Sequence, residues 1–121
     1  MEKRILLVED DMILCDLTKE MLRNCNVGTF IAHTGCEAVK IFTENQDVIE
    51  LCIFDMNLDQ ELGVNVFDSI RKISDDFISV LASGMFTDDD VKFYKEKGFD
   101  EIIKKPYRLK DLNSLVKKHL G

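Results

Sequence analysis

Acidic side chains directly follow two apolar segments of the sequence. Asp55 follows the apolar residues 51–54, and Glu9 and Asp10 follow the apolar residues 5–8. If both segments are parallel strands of one sheet, their carboxyl ends meet at the same edge, which brings the three carboxylates together. Crowded carboxylates resist ionisation unless a cation shares the site. Oxygen ligands of this kind predict a site for Mg²⁺, a hard cation that binds a few carboxylates and several waters.

A hydroxyl group and an ammonium group follow two later apolar segments. Ser83 follows residues 77–82, and Lys105 comes soon after Ile103. At the same sheet edge, Lys105 could bind phosphoryl oxygens by its charge and Ser83 by a hydrogen bond. Taken singly, each residue is equally typical of a helix cap or a solvated turn. Their succession at strand ends is what indicates a site where Asp55 meets a phosphoryl group.

Five apolar segments of strand length alternate with five segments of helical periodicity. The predicted strands are residues 4–8, 29–32, 51–55, 77–82 and 102–103, and helical patterns begin near residues 12, 35, 64, 88 and 109. Such alternation predicts right-handed crossovers and a parallel sheet with helices on both faces. The fold class is therefore α/β and doubly wound, and ligands of such folds bind at the carboxyl ends of the strands.

Polar residues before the helical segments are typical helix caps. Asp11 is predicted to cap the first helix rather than to bind metal, and Thr34 with Glu37 has the form of a capping box. Thr87 is predicted to cap the fourth helix, which Gly98 ends.

Length and charge narrow the possible classes of protein. A chain of 121 residues predicts one domain, residues 1–121. The net charge of -7 argues against direct binding to nucleic acid or to an anionic membrane.

Four scattered cysteines without a CxxC pair predict reduced, buried thiols. With no signal peptide or membrane span in the sequence, we expect a cytoplasmic protein.

The sequence resembles the receiver domains of two-component response regulators over essentially its whole length. The motifs that carry the resemblance are Val8-Glu9-Asp10, Phe54-Asp55-Met56-Asn57 with the later Gly63, Leu81-Ala82-Ser83-Gly84 and Lys104-Lys105-Pro106-Tyr107. Each motif alone is weak, but the four occur in the right order and at the ends of the right strands. The resemblance implies a flavodoxin-like fold, with five parallel strands in the order 2-1-3-4-5 and five helices on both faces of the sheet.

The resemblance also implies a role for each residue at the predicted edge. Asp55 matches the aspartate that accepts a phosphoryl group from a histidine kinase, a phosphotransfer protein or a small phosphodonor. Glu9, Asp10, Asp55 and the backbone carbonyl of Asn57 match the magnesium ligands. Ser83 and Lys105 match the switch hydroxyl and the lysine that pairs with the acceptor and then with its phosphate.

A phosphorylation-dependent signalling switch is the function that the resemblance implies. Such a domain catalyses its own phosphorylation and dephosphorylation, and it is not a conventional turnover enzyme. The signal is expected to reach an output domain or a partner protein through the fourth helix, fifth strand and fifth helix.

Three positions depart from the common form of the family. Gly84 stands where a small residue, usually alanine, follows the switch hydroxyl. Ile102 occupies a position that often carries an aromatic side chain, which rotates inward on activation. The proline that commonly follows the acceptor is absent from residues 58–61, which predicts a more acidic and looser loop.

Two other functions stay open at this point. A receiver-like module that only binds partners is suggested by Ile102. A magnesium-dependent phosphohydrolase with Asp55 as nucleophile would need a second acid at the position of Asn57.

Overall fold

A computed structural model of the chain describes residues 3–121, in which five strands alternate with five helices. The elements are β1 (Arg4–Val8), α1 (Met12–Asn24), β2 (Gly28–Ala32), α2 (Gly35–Glu44), β3 (Ile49–Asp55), α3 (Gly63–Arg71), β4 (Ile78–Ser83), α4 (Asp88–Lys97), β5 (Glu101–Lys104) and α5 (Leu109–Leu120). The predicted alternation is confirmed.

The strands form one parallel sheet in the order β2-β1-β3-β4-β5. This is the predicted doubly wound α/β topology and strand order. The register aligns Val8 of β1 with Phe54 of β3, and Asp55 with Ala82 of β4. The residues that follow β1, β3 and β4 therefore emerge at the same edge of the sheet.

Apolar side chains cover both faces of the sheet. Ile5 and Leu7 contribute to a buried cluster with α1 and α5, whereas Leu6 and Val8 contribute to a second cluster with α2 and α3. This division follows from the strand geometry, in which successive side chains point to opposite faces. A strand buried on both faces needs the continuous apolar sequence that β1 has.

The predicted helix caps are present. The Asp11 carboxylate accepts hydrogen bonds from the backbone N–H groups of Ile13 and Leu14 at 3.0 and 3.1 Å. Thr87 and Asp90 form a complete capping box at the start of α4. Thr34 accepts from the Glu37 N–H, but Glu37 accepts from the N–H of His33 instead of that of Thr34. The box at α2 is thus displaced by one residue.

Some apolar residues that fit the helical spacing of their segment are nevertheless exposed. Leu17 follows Leu14 at helical spacing in α1, but it is 53% exposed, and the buried residues of α1 are Cys15, Thr18 and Leu22. At 100° per residue, position 17 lies almost opposite position 15, so both cannot face the sheet. Ile73 lies beyond the end of α3 and is exposed.

Tyr107 anchors the segment between β5 and α5. Its ring is buried, and its hydroxyl lies 2.8 Å from the Thr18 hydroxyl of α1. Burial raises the pKa of Tyr107 to about 12, although the hydrogen bond between Tyr107 and Thr18 opposes the rise. Because Tyr107 stays protonated, this contact holds the chain just after Lys105 against α1.

The four cysteines are free thiols with different environments. Cys15 and Cys52 are buried as expected, but Cys36 is exposed at the start of α2.

Within residues 3–121, no helix has the length and apolar character required to cross a membrane.

Candidate functional site

The carboxylates of Glu9, Asp10 and Asp55 gather at the edge where β1 and β3 end. One oxygen from each lies within 4.8 Å of the others. Glu9 and Asp55 are buried, and Asp10 is half-buried. The register that aligns the ends of β1 and β3 produces this cluster, as the sequence predicted.

Lys105 provides a positive charge inside this cluster. Its ammonium group lies 2.8 Å from Glu9 Oε1 and 3.0 Å from Asp55 Oδ1. The side chains of Glu9 and Asp55 are only 2% and 7% exposed, so neither charge is solvated by bulk water. One lysine between three carboxylates leaves the site with an excess of negative charge.

Burial and the lysine act in opposite directions on the protonation of this site. Burial raises the pKa of Glu9, the Asp55 charge adds to the rise, and the hydrogen bond from Lys105 opposes it. Burial lowers the pKa of Lys105, but the hydrogen bonds and charges of Glu9 and Asp55 outweigh it, so the pKa is raised overall. Lys105 therefore remains charged at neutral pH.

Side chains that sequence reasoning missed hold the backbone of Glu9. The Glu9 carbonyl accepts a hydrogen bond from the Cys15 thiol at 3.3 Å, and Nδ1 of His33 lies 3.1 Å from the same oxygen. The N–H of Asp11 donates to Glu9 Oε2 at 3.2 Å. Neither Cys15 nor His33 belongs to a sequence motif, so only the packing of α1 and β2 beside β1 reveals these contacts.

The loop between β3 and α3 is closed on itself. The Leu58 N–H donates to the Glu61 carbonyl at 3.0 Å, and Asn57 pairs with Leu62 in an antiparallel bridge. The Leu58 side chain is buried in the core. These contacts connect the two sides of the segment without a proline, and the greater looseness of the loop stays a prediction. Asn57, whose carbonyl was predicted as a metal ligand, lies in this loop.

Ser83 lies at the same edge but is not hydrogen-bonded to the charged cluster. Its hydroxyl donates to the Met85 carbonyl at 2.9 Å, and the Met85 N–H donates back to it at 3.4 Å. Ser83 is buried, whereas Met85 is 87% exposed. The hydroxyl is thus directed to its own loop and must turn away from Met85 to meet a group on Asp55.

Gly63 permits the closest backbone approach in the site. A Cβ atom at this position would lie 2.0 Å from the Asp55 carbonyl oxygen and 2.9 Å from its carbon. We expect Gly63→Ala to lower the free energy of unfolding by about 1 to 3 kcal/mol, since the backbone must move apart. Urea denaturation followed by circular dichroism would measure this loss.

Gly84→Ala is the matched control, because a Cβ at Gly84 would contact nothing within 4 Å. We expect its unfolding midpoint to stay near that of the unsubstituted chain. Equal destabilisation by the two substitutions would contradict the close approach at Gly63.

The acidic cluster has the chemistry of a site for a hard divalent cation. Its three carboxylates offer oxygen ligands, and Lys105 compensates only part of their charge. Magnesium sites commonly combine one or two carboxylates with water. The residues present therefore fit such an ion.

Solved structures with the same fold include known signal receivers. The signal receiver domain of a Luxo repressor protein from Vibrio parahaemolyticus is 28% identical, with a TM-score of 0.87 over 99% of this chain and 91% of that one. The receiver domain of Ssk1 from Saccharomyces cerevisiae, crystallised with the histidine phosphotransfer protein Ypd1, has a TM-score of 0.86 over 98% of this chain and 88% of that one. At 22% identity this second likeness shows the fold alone.

Curated relatives of the chain are longer proteins. The regulatory protein VanR from Enterococcus faecium is 29% identical over 99% of this chain and 51% of its own length. The chain spans only 15% of another relative, a transcription factor from Chaetomium thermophilum. These relatives therefore contain regions to which nothing in this chain corresponds.

The family match agrees with the fold and with the cluster at the sheet edge. The sequence model of the response regulator receiver domain matches residues 5–117, which is nearly the whole chain. The chain therefore belongs to the receiver domain family of two-component response regulators.

Proposed function

We propose that Asp55 accepts a phosphoryl group and that the resulting acyl phosphate is the signal of this domain. The observation that carries the proposal is the position of the Asp55 carboxylate, 3.0 Å from the Lys105 ammonium and grouped with two further carboxylates. A carboxylate at the open edge of the sheet can approach a phosphorus atom directly. This arrangement suits catalysis in which the protein positions the two reacting groups and stabilises the charge on the phosphoryl oxygens, rather than catalysis by proton transfer.

In the transfer step, an Asp55 carboxylate oxygen forms a bond to phosphorus. The bond from phosphorus to the leaving group of the donor breaks, and its electron pair goes to that group. With a phosphohistidine donor the leaving group is an imidazole nitrogen, and with acetyl phosphate it is acetate. Asp55 enters as a carboxylate, so no base is needed to activate it.

Glu9, Asp10, Asp55 and the backbone carbonyl of Asn57 would hold Mg²⁺ in this proposal. The bound ion would supply neutralisation of the negative charge on the phosphoryl oxygens. The role of the chain is to place these oxygen ligands together: β1 and β3 fix the carboxylates, and the closed loop after β3 fixes Asn57.

Lys105 and Ser83 would bind the transferred group. Lys105 already contacts Asp55, so its ammonium group can pass from the carboxylate to a phosphoryl oxygen with little movement. Ser83 must break its hydrogen bonds with Met85 to do the same. The Ser83 rotation would change the loop between β4 and α4, which is the start of a route to the surface.

The surface of α4, β5 and α5 is the proposed output face. Phe93 on α4 is 59% exposed, and no residue of α4 is fully buried. A helix packed this lightly can shift at small cost. The output would lie in another domain or protein, since the relatives extend beyond the matched region.

We further propose a histidine kinase or a phosphotransfer protein as the donor. Support comes from the solved complex in which the fungal receiver domain binds Ypd1. The net charge of -7 supports a protein partner rather than direct contact with nucleic acid or an anionic membrane. The cytoplasmic location stays a prediction. The domain would catalyse its own modification and would not turn over a separate substrate.

Incubation with acetyl phosphate, with and without Mg²⁺, tests the proposed function. We expect an intact mass that shows one added phosphoryl group in the presence of Mg²⁺ and little or none with a chelator. Failure to form any adduct under conditions that modify a known receiver domain would contradict the proposal.

A partner-binding module that is never phosphorylated is the second candidate, and Ile102 is the observation that favours it. Ile102 is half-buried in β5 on the side of α2 and α3, where an aliphatic side chain cannot repeat an aromatic rotation. Beryllofluoride separates the candidates. A phosphorylatable receiver should show Mg²⁺-dependent shifts of the Ser83 and Lys105 backbone amide resonances, whereas a docking module should show none.

A further inference from the structure

Glu61 connects the loop after the acceptor strand to the start of a distant helix. Its carboxylate oxygen Oε2 accepts a hydrogen bond from the backbone N–H of Gly35 at 3.0 Å. Gly35 is the first residue of α2, where backbone N–H groups have no partner within the helix. A carboxylate is favoured there by the positive end of the helix dipole.

We infer that Glu61 is a positioning residue for the metal ligand in this loop. The inference rests on the proposed function, in which the Asn57 carbonyl binds Mg²⁺. The Glu61 carbonyl accepts the Leu58 N–H, and Leu62 pairs with Asn57. The side chain of Glu61 thus fixes to α2 the same short loop whose backbone holds Asn57.

The size of residue 35 is matched to this contact. A Cβ atom at Gly35 would lie 2.5 to 2.8 Å from the carboxyl atoms of Glu61. Those atoms end a flexible side chain, so an alanine at 35 would displace the carboxylate without moving the backbone. The contact can therefore be broken from either side, by Glu61→Ala or by Gly35→Ala.

The contact also explains how the loop is restrained without the proline that relatives in the family commonly have. Leu58 fixes one side of the loop in the core, and Glu61 fixes the other side to α2. When the carboxylate is removed, only the internal hydrogen bonds of the loop remain. Binding of Mg²⁺ by Asn57 must then order a more mobile loop, which weakens the affinity.

Amide hydrogen exchange in the metal-free protein is the first test. We expect faster exchange of the Leu58 and Gly63 N–H groups in Glu61→Ala and Gly35→Ala. Glu61→Gln should exchange more slowly than Glu61→Ala, because the amide oxygen still accepts from Gly35. Unchanged exchange in both variants would overturn the inference, whether or not Asp55 is phosphorylated.

Magnesium titration followed by nuclear magnetic resonance is the second test. We expect each variant to bind Mg²⁺ roughly three- to tenfold more weakly than the unsubstituted chain. This factor corresponds to the loss of about one hydrogen bond. The double variant should bind no more weakly than Glu61→Ala alone, because both substitutions remove one contact. Affinity equal to that of the unsubstituted chain, despite faster exchange, would overturn the positioning role.

Asp59→Ala is the matched control, since Asp59 is exposed in the same loop and carries the same charge. We expect it to change Mg²⁺ affinity much less than Glu61→Ala does, and an equal loss would show a charge effect only and overturn the inference. Absence of Mg²⁺ binding by the unsubstituted chain would contradict the proposed function itself. That result is seen without any variant, so the two failures are distinguishable.

Discussion

Asp55→Asn should abolish phosphorylation by acetyl phosphate while leaving the domain folded. The amide keeps the shape of the side chain but lacks the anionic oxygen that attacks phosphorus. Mass spectrometry of the intact variant should show no phosphoryl adduct at a time when the unsubstituted chain is substantially modified. Circular dichroism should show the same helix content for both.

Asp59→Asn provides the control for this substitution. Asp59 lies in the loop after β3 and is exposed, so the change removes the same charge near the site without touching the cluster. We expect its adduct to form at nearly the rate of the unsubstituted chain. An adduct that persists in Asp55→Asn would mean that another side chain accepts the group.

Lys105→Met should have the second largest effect, on stability as well as on chemistry. It leaves the Glu9 and Asp55 carboxylates, which are 2% and 7% exposed, without their cation. We expect a loss of about 3 kcal/mol in the free energy of unfolding at neutral pH, the lower end of the range for a broken buried ion pair. Adduct formation should slow by about 10²-fold, the usual cost of removing one charge-stabilising donor.

The loss of stability in Lys105→Met should depend on pH through Glu9. Burial raises the native pKa of Glu9 above its ordinary 4.5. Below pH 4.5, Glu9 is protonated in both the folded and the unfolded chain. The contribution of Glu9 to stability is then lost as the pH rises through its native pKa. Without Lys105 the native pKa of Glu9 rises further. The difference in the free energy of unfolding between Lys105→Met and the unsubstituted chain should therefore be largest at neutral pH and shrink towards pH 4.5.

Urea denaturation across this pH range, with and without Mg²⁺, measures these expectations. Mg²⁺ should stabilise Lys105→Met more than the unsubstituted chain, since the ion would replace the missing charge. Lys104→Met is the control, because Lys104 is exposed beside Lys105. Equal, pH-independent losses in the two variants would contradict the charge compensation assigned to Lys105.

The positions of Asp55, Glu9, Asp10 and Lys105 could be predicted from the sequence because they depend on topology alone. Each residue follows an apolar strand, and parallel strands bring such residues to one edge. The helix caps at Asp11 and Thr87 were predictable for a similar reason, since a cap acts within its own first turn.

Contacts between distant segments could not be predicted in this way. The hydrogen bond that Gly35 donates to Glu61 and the one between Tyr107 and Thr18 join separate elements. No spacing in the sequence marks such pairs, because they depend on how loops and helices pack. The exposure of Leu17 has a different origin: α1 has apolar residues on several faces, and only the packing selects Cys15 and Leu22 for burial.

The direction of the Ser83 hydroxyl is the clearest example of what position alone leaves open. The sequence places Ser83 at the right strand end, yet its hydrogen bonds are to Met85. The hydrogen bond that the Ser83 hydroxyl donates to the Met85 carbonyl therefore distinguishes the resting arrangement from the proposed phosphate-bound one. Ile102, on β5 beside Leu81 of β4, offers no aromatic rotation to follow this change, so the β4–α4 loop is the part of the route expected to move.

Reduction of the phosphorylated chain with sodium borohydride would test the central proposal most directly. Borohydride reduces an aspartyl phosphate to homoserine, which marks the acceptor permanently and can be located by peptide mass spectrometry. We predict homoserine at position 55, formed only after treatment with both acetyl phosphate and Mg²⁺. Homoserine at Asp10 or Asp59, with position 55 still aspartate, would contradict the assignment of Asp55 as the phosphoryl acceptor.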